Sequence, residues 1–485
     1  MDHRLGFEPV RGECAGVSLP VEGDLPNWLS GTLLRNGPGT FEAGDRRLNH
    51  WFDGFAMLRR FAIRGGRVTY ANRFLRSEAH EHVREHGELG FREFATDPDT
   101  GLVGRLERLL APNFTDNACV NVEARRDGFV ATTESPRVVA FDPGTLATHG
   151  TTTDSTPGAT RTVHPHHDPR RGERVGYATR FGRDPGYTIY RTPAVGAEPE
   201  IVGEVSVDEP AYLHSFGLTE RHVVLTEGPF VVRPLDLLRD RPVIESFEWR
   251  PERGTRFLVV DRASGDVAAT HRAEPFFVFH HVNAFETGGE IVLDLVAYPD
   301  ATVVDALSLD NLRSPAPDLP TGALRRYRLP IEDDGESGGG ASGGGAPRIG
   351  FETLYPGHIE LPTFDYERRN TRPYRYVYGV SNRERPPADF QNQLVKVDVG
   401  TRTTRTWSEP DAYPGEPLFV PAPEGQEDEG VVLSVVLDAR AERSFLVVLD
   451  AATFAERARA PTPHPIPFGF HGQFYRDDEP TRSMA

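Results

Sequence analysis

The sequence predicts an all-β fold, a β-propeller of short antiparallel strands with few helices. Three observations predict it. Short apolar runs rich in Val, Phe, Tyr and Thr alternate with Gly, Pro and Asp turns along the 485-residue chain. Helical periodicity is scarce, with its best stretches at 102–111 and 300–313. A strand–turn–strand unit also recurs at irregular intervals, in which an apolar pair leads to Asp, then a small turn, then a polar strand.

The clearest strand runs are 129–133 (FVATT), 222–226 (HVVLT), 291–297 (IVLDLVA), 374–380 (YRYVYGV) and 431–437 (VVLSVVL). The recurring unit reads VAFDPGTLATHG at 139–150, VVDRASGDVAATHR at 259–272, VKVDVGTRTTRTW at 395–407 and VLDAATFAERAR at 448–459. Repeated hairpins of this kind suit stacked blades, and on pattern alone a β-sandwich of generic hairpins stays open as the alternative. Segment 331–348 (IEDDGESGGGASGGGAPR) is low complexity and reads as a flexible surface loop. Strands resume directly after it, so 1–485 is read as one domain. The run 424–430 (EGQEDEG) reads as an acidic hairpin tip.

Composition excludes several classes of function. Formal net charge is -18, and Lys396 is the only lysine, so the basic excess of a nucleic-acid binder is missing. Cys14 and Cys119 cannot build a disulfide framework, and the first residues (MDHRLGFEPVRGE) lack the apolar core of a secretory signal. The expectation is a reducing cytoplasm. No run of 18 apolar residues offers a membrane-spanning helix.

Histidines in apolar surroundings are the chemical signal. His164 opens HPHHDP, His214 lies in AYLHSFGLT, His280 and His281 lie in FFVFHHVNAFE, and His471 lies in PFGFHGQF. A buried imidazole needs partners for both nitrogens, and metal ligation satisfies one of them. Singly, each reads as a hydrogen-bonded core residue. Together, on well-separated strands, they suggest convergence, because a propeller brings the inner strand of every blade to one axis. No HExxH or CxxC signature supports the metal reading. Glu134, Glu360 and Glu416 also sit in apolar strand contexts, where a buried carboxylate is costly unless paired, and histidine partners would account for all three.

Eleven segments carry a resemblance. They are LLRNGPG (33–39), HWFDGFAML (50–58), FTDNACVNV (114–122), TTES (132–135), HPHHDP (164–169), YLHSFGLT (212–219), FHHVNAFE (279–286), HIELP (358–362), RPYRYVYG (372–379), GEPLFVP (415–421) and PFGFHGQF (467–474). In these the chain resembles the carotenoid cleavage oxygenase family, which also holds the retinal pigment epithelium retinoid isomerase. The matches run in family order across nearly the whole chain.

The resemblance implies a seven-bladed propeller, with a few short helices and loops capping an axial non-haem Fe(II). The implied ligands are His164, His214, His280 and His471. The implied outer carboxylates are Glu134 on His214, Glu360 on His280 and Glu416 on His471, which leaves His164 without one. His281 should point away, since adjacent strand residues face opposite sides. The positions 134, 164, 214, 280, 360, 416 and 471 suit inner strands of successive blades. Four neutral nitrogens would equally suit zinc or nickel, so the metal rests on the resemblance.

The chemistry implied is oxidative cleavage of a conjugated C=C bond, with both atoms of O2 ending in two carbonyl products. An apolar tunnel would choose the bond. Phe52, Thr133, Phe279, Phe364 and Phe470 flank the matched motifs and are the expected lining, with Val120 crowding one side of the metal. FTDNACVNV and TTES are similar to the animal branch that cleaves β-carotene centrally, so central or near-central cleavage to retinal is the expectation. A lipophilic polyene points to peripheral contact with the inner face of a membrane, through 102–114 or 229–238, by a monomer. The alternatives are a stilbene-cleaving dioxygenase and a retinoid isomerase. The first places a Tyr and a Lys near the iron, and Lys396 lies in a late, outer-type strand motif.

Overall fold

The computed structural model describes residues 2–98, 115–125, 128–193, 198–239, 241–331 and 348–477. The expected helix at 102–111, the whole candidate membrane segment 102–114 and nearly all of the loop 331–348 lie outside the described residues.

Seven antiparallel sheets surround one axis, each with a short inner strand. The first six inner strands are Asn121–Arg125, the broken pair Thr160–Arg161 and His166–Asp168, Gly217–Leu218, His281–Thr287, Glu360–Thr363, and the broken pair Ala412–Pro414 and Leu418–Pro421. The seventh sheet closes the ring with both ends of the chain. Its inner strand, Gly472–Arg476, pairs with Gly31–Arg35, which pairs with Phe55–Arg64, then Arg67–Phe74 and Cys14–Leu19. The β-sandwich alternative is thereby excluded.

Each of the four recurring units forms the outer hairpin of a blade, and the aspartate explains the recurrence. Asp142 Oδ1 accepts from the backbone N–H groups of Gly144 and Thr145, and Asp261 Oδ1 from those of Ala263 and Ser264. Asp398 Oδ1 accepts from Gly400 and Thr401 N–H, and Asp450 Oδ1 from Thr453 N–H. The carboxylate thus satisfies donors that the turn would otherwise leave unpaired. Glycine is required where outer turns meet. Gly265 has φ +81°, and a Cβ there would meet Val202 O at 1.9 Å.

Blade faces are apolar and pack on their neighbours. Val224, Phe257 and Val259 of one blade meet Ile291, Leu293 and Tyr327 of the next in one buried cluster. The cap lies at one end of the axis. It includes the 3₁₀ turn Trp51–Asp53 and the short helices Thr302–Ala306 and Leu309–Leu312. A nine-residue helix, Glu78–His86, was not expected from the sequence. Ser77 Oγ caps its start and Gly87, at φ 74°, ends it. Within 229–238, the strand Phe230–Val232 is buried against Phe247–Trp249, while Leu235 is 77% exposed.

Candidate metal centre

His164, His214, His280 and His471 converge on the axis. One ring nitrogen from each lies within 4.8 Å of those of the others. Local chain geometry brings them there. His280 and His471 immediately precede inner strands, His214 lies three residues before one, and His164 sits in the break between Thr160–Arg161 and His166–Asp168. Gly472 permits the approach of His471, because a Cβ there would meet Leu34 O at 2.3 Å.

Carboxylates fix three of the rings. His214 Nδ1 lies 2.7 Å from Glu134 Oε1, His280 Nδ1 2.6 Å from Glu360 Oε2, and His471 Nδ1 2.7 Å from Glu416 Oε1. A carboxylate accepts only, so each Nδ1 carries the proton and each Nε2 turns a lone pair inward. The Nε2 atoms of His164 and His214 are 3.0 Å apart, and those of His280 and His471 are 3.3 Å apart. Two imidazoles on one ion at about 2.0–2.1 Å, subtending roughly 95–105°, stand at such separations. Two lone pairs facing each other this closely are repulsive without a cation between them, so the donor set fits a divalent ion.

Burial keeps three of the rings neutral. Burial lowers all three of His164, His214 and His471, with neighbouring rings adding to the effect at His164 and His471 brought down to about 4. Burial also pushes the Glu360 and Glu416 carboxyls up. That push is outweighed by His280 at Glu360, and by Arg35 and His471 at Glu416, so both end below the usual carboxylate value. No carboxylate pairs with His164 among the described residues. His281 turns away, with Nδ1 2.7 Å from Ser215 Oγ and Nε2 2.7 Å from Thr226 Oγ1.

One expectation about placement needs correction. Glu134 is not on an inner strand. It follows Gly128–Thr132, the second strand of its blade, and reaches across to His214 in a different blade. The reason is that only the first strand of each blade faces the axis, while the turn after the second rises to the same level.

The sequence reading also missed the groups that hold the carboxylates. Arg35 pairs with Glu416 Oε2 and donates to Phe470 O at 2.8 Å. The Tyr212 hydroxyl donates to Glu134 Oε1 at 2.9 Å, and burial together with the Glu134 charge keeps that phenol protonated. The signal was present, since an arginine in the apolar run LLRNGPG needs a buried acid.

The cluster separates two cavities. One, of about 110 Å³, lies under the cap, its wall rich in aromatic side chains and also carrying Glu93, Glu134 and Glu360. Phe52, Thr133, Phe279, Phe470 and Val120 line it, as do Trp51 and Phe94, which the sequence did not single out. Phe364 does not. Leu361 has φ 48° and the pairing slips between Glu360 and Thr363, so the chain bends away after Glu360. Phe364 therefore lines the second cavity, about 390 Å³, on the opposite side of the cluster.

The family model described as retinal pigment epithelial membrane protein matches residues 7–476. The chain belongs to this family. Among curated relatives, β,β-carotene 15,15'-dioxygenase of Mus musculus is 33% identical, over 95% of this chain and 89% of that protein. Carotenoid cleavage dioxygenase 8 homolog B of Oryza sativa subsp. japonica, a chloroplastic protein, is 36% identical, over 96% and 84%. Among solved structures, cobalt-substituted Synechocystis apocarotenoid oxygenase aligns with a TM-score of 0.83 at 27% identity, over 98% of both chains. That this structurally similar protein has been prepared with cobalt agrees with the donor set found here.

Proposed function

We propose that the protein is a ferrous dioxygenase that cleaves a conjugated C=C bond of a carotenoid or apocarotenoid into two carbonyl products. The observation that carries this reading is the four-histidine cluster, three of its rings held by carboxylates, at the wall of an aromatic cavity. Relatives named as carotenoid dioxygenases support it. The balance is simple: one C=C and one O2 become two C=O groups, so no outside reductant enters.

His164, His214, His280 and His471 would hold the metal through Nε2. Bound Fe(II) supplies the means of reacting triplet dioxygen with a closed-shell polyene. Every other contribution comes from the chain. Glu134, Glu360 and Glu416 keep the Nδ1 protons in place and so fix the rings. Phe52, Phe279 and Phe470 offer ring faces and edges to a flat polyene, and their packing excludes water from the reacting bond. Thr133 and Val120 narrow the chamber beside the cluster. Which bond lies against His214 and His280 decides the products, and central cleavage to retinal is the reading we favour.

A polyene resides in lipid, so we place the monomeric protein in the cytoplasm at the inner face of a membrane. Leu235 is an apolar residue of 229–238 that stands out toward solvent, beside the exposed Arg233. A stilbene substrate is disfavoured by Lys396. Its Nζ donates to Asp428 at 2.9 Å and to Ala451 O at 2.7 Å, and it lines neither cavity.

The test is product analysis under ¹⁸O2. Iron-loaded protein receives β-carotene, an apocarotenal and a hydroxylated stilbene in detergent. Two labelled carbonyl products from a polyene are expected, and their lengths name the bond. Turnover of the stilbene alone, or products without label from iron-replete protein, would overturn the reading.

A further inference from the structure

His164 differs from its three partners in two ways. It has no carboxylate on Nδ1 among the described residues, and it is only partly buried where the other three are buried. It also faces a different space. His214 lines the aromatic cavity alone, His280 and His471 line both, and His164 lines only the larger axial cavity. The cluster is therefore a partition, and His164 is its least restrained member on the axial side.

The two spaces offer a hydrated cation different company. The aromatic cavity is small, and besides Trp51, Phe52, Phe94, Phe279 and Phe470 it is lined by Glu93, Glu134 and Glu360, which are engaged by Thr115 and Asn117, by His214 and by His280. The axial cavity is more than three times larger, at about 390 Å³ against about 110 Å³. Glu123, Asp365, Glu367 and Glu416 line it together with Arg174 and Arg476. Asp365 is 2% exposed, and its Oδ1 has no hydrogen-bond partner among the described residues. Glu360 Oε1 on the aromatic side is equally without a partner among the described residues, so the two cavities are told apart by size and by His164, which faces only the axial one.

We infer that the axial cavity is the vestibule through which a hydrated divalent cation reaches the four histidines, and that His164 is the ligand that swings aside to admit it. The polyene and the metal then use opposite sides of one partition, so a chamber filled with substrate does not block metal exchange. The inference rests on the reading of the four histidines as a metal centre.

Metal-stripped protein is mixed with Co2+, and the visible absorption of the filling site is followed in time, with release to a chelator measured afterwards. Gln473 and Leu418 line the axial cavity and are partly exposed within it. Gln473→Trp is expected to slow both uptake and release about tenfold, with final stoichiometry and spectrum unchanged. Leu418→Trp is the second axial variant should the first fail to fold. Leu307→Trp, on the aromatic side, is expected to leave both rates unchanged, and His164→Ala to accelerate release more than it slows uptake. Unchanged rates in both axial variants, or slowing by Leu307→Trp alone, would overturn the route. No cobalt band in the wild-type protein would overturn the metal-centre reading itself, and the route with it.

Discussion

Glu416→Gln and Glu360→Gln look equivalent in sequence, and the structure says they are not. Glu416 Oε1 accepts from His471 Nδ1, while its Oε2 pairs with Arg35 and accepts from Gly472 N–H at 3.1 Å. Both oxygens are engaged by donors. A glutamine must turn its NH2 toward either His471 Nδ1–H or the Arg35 guanidinium, and either way two donors collide. Arg35, with its side chain 6% exposed, is left without its counter-charge. Breaking a buried pair from one side costs about 3–5 kcal/mol. At about 2.1 cal/mol/K per residue, a chain of 485 residues unfolds with roughly 1 kcal/mol/K of entropy. The metal-free Glu416→Gln protein should therefore melt about 3–5 °C lower. Glu360 has no arginine. Its Oε2 accepts from His280 and from its own neighbour Leu361 N–H, and its Oε1 has no hydrogen-bond partner among the described residues. A glutamine can keep its oxygen on His280 and place its NH2 at the idle position. Glu360→Gln should leave metal-free melting within about 1 °C and weaken metal retention by roughly 10–100-fold. Differential scanning calorimetry of stripped protein and chelator competition on loaded protein separate the two effects. Equal melting of the two variants would refute the donor-collision argument.

Other outcomes follow from the same contacts. His214→Ala or His471→Ala should abolish stoichiometric metal binding, read by elemental analysis, whereas full retention would remove that residue from the ligand set. Phe279, 4% exposed and ringed by Phe52, Tyr212 and Tyr298, should cost about 3–5 kcal/mol as Phe279→Ala; half-buried Phe52→Ala should cost less and act mainly on KM for the polyene. Asp261→Ala removes the acceptor of two turn N–H groups and should cost about 1 kcal/mol with no change in metal content. His50 supplies a pH dependence. Its Nε2 lies 2.8 Å from Val304 O and its Nδ1 accepts from Phe52 N–H, so the ring is neutral, and burial lowers it from 6.5 to about 4. The unfolded chain binds this proton first, so stability is full above pH 6.5 and falls by about 3 kcal/mol as pH drops to 4. Chemical denaturation across that range checks it, and His50→Gln should flatten the slope.

How much of this was legible in the sequence depended on how local each signal was. The aspartate turns at 142, 261, 398 and 450 are read within five residues, and each proved to be an outer hairpin. The blade count was not local, since closure depends on Gly31–Arg35 finding Gly472–Arg476 across the whole chain. The helix Glu78–His86 was invisible because only Ala79 and Val83 are apolar in it, and its stability comes from caps rather than from a periodic face. At the site, every histidine and carboxylate was legible through the family resemblance. What was not legible was the side of the cluster on which a residue falls. Phe364 and Phe470 both flank a matched motif, yet a single left-handed residue, Leu361, sends Phe364 to the axial side. A backbone angle set by packing leaves no mark in the string HIELPTF.

The arrangement of charge explains why acids encircle these histidines without joining them. A carboxylate among the inward donors would place a negative charge directly against the cation and lower the net positive charge of the centre. Here each carboxylate stands one imidazole away, bonded to Nδ1, so it orients a neutral donor and leaves the inner face uncharged. The outward sides of the carboxylates are then set differently. Glu416 leans on a full positive charge at Arg35, while Glu134 takes only the hydroxyl of Tyr212 and Glu360 Oε1 has no hydrogen-bond partner among the described residues. His471 is consequently backed by the most neutralised carboxylate, and His214 and His280 by more strongly anionic ones. A graded donor strength around the ring follows, strongest at His214 and His280, weaker at His471, and weakest at His164, which has no carboxylate partner among the described residues. Replacing Arg35 by Met, which keeps the bulk and removes the charge, should move His471 toward the first group. In cobalt-loaded protein that shift appears as a displaced absorption band with unchanged stoichiometry, and an unmoved band would show that Arg35 serves the fold alone.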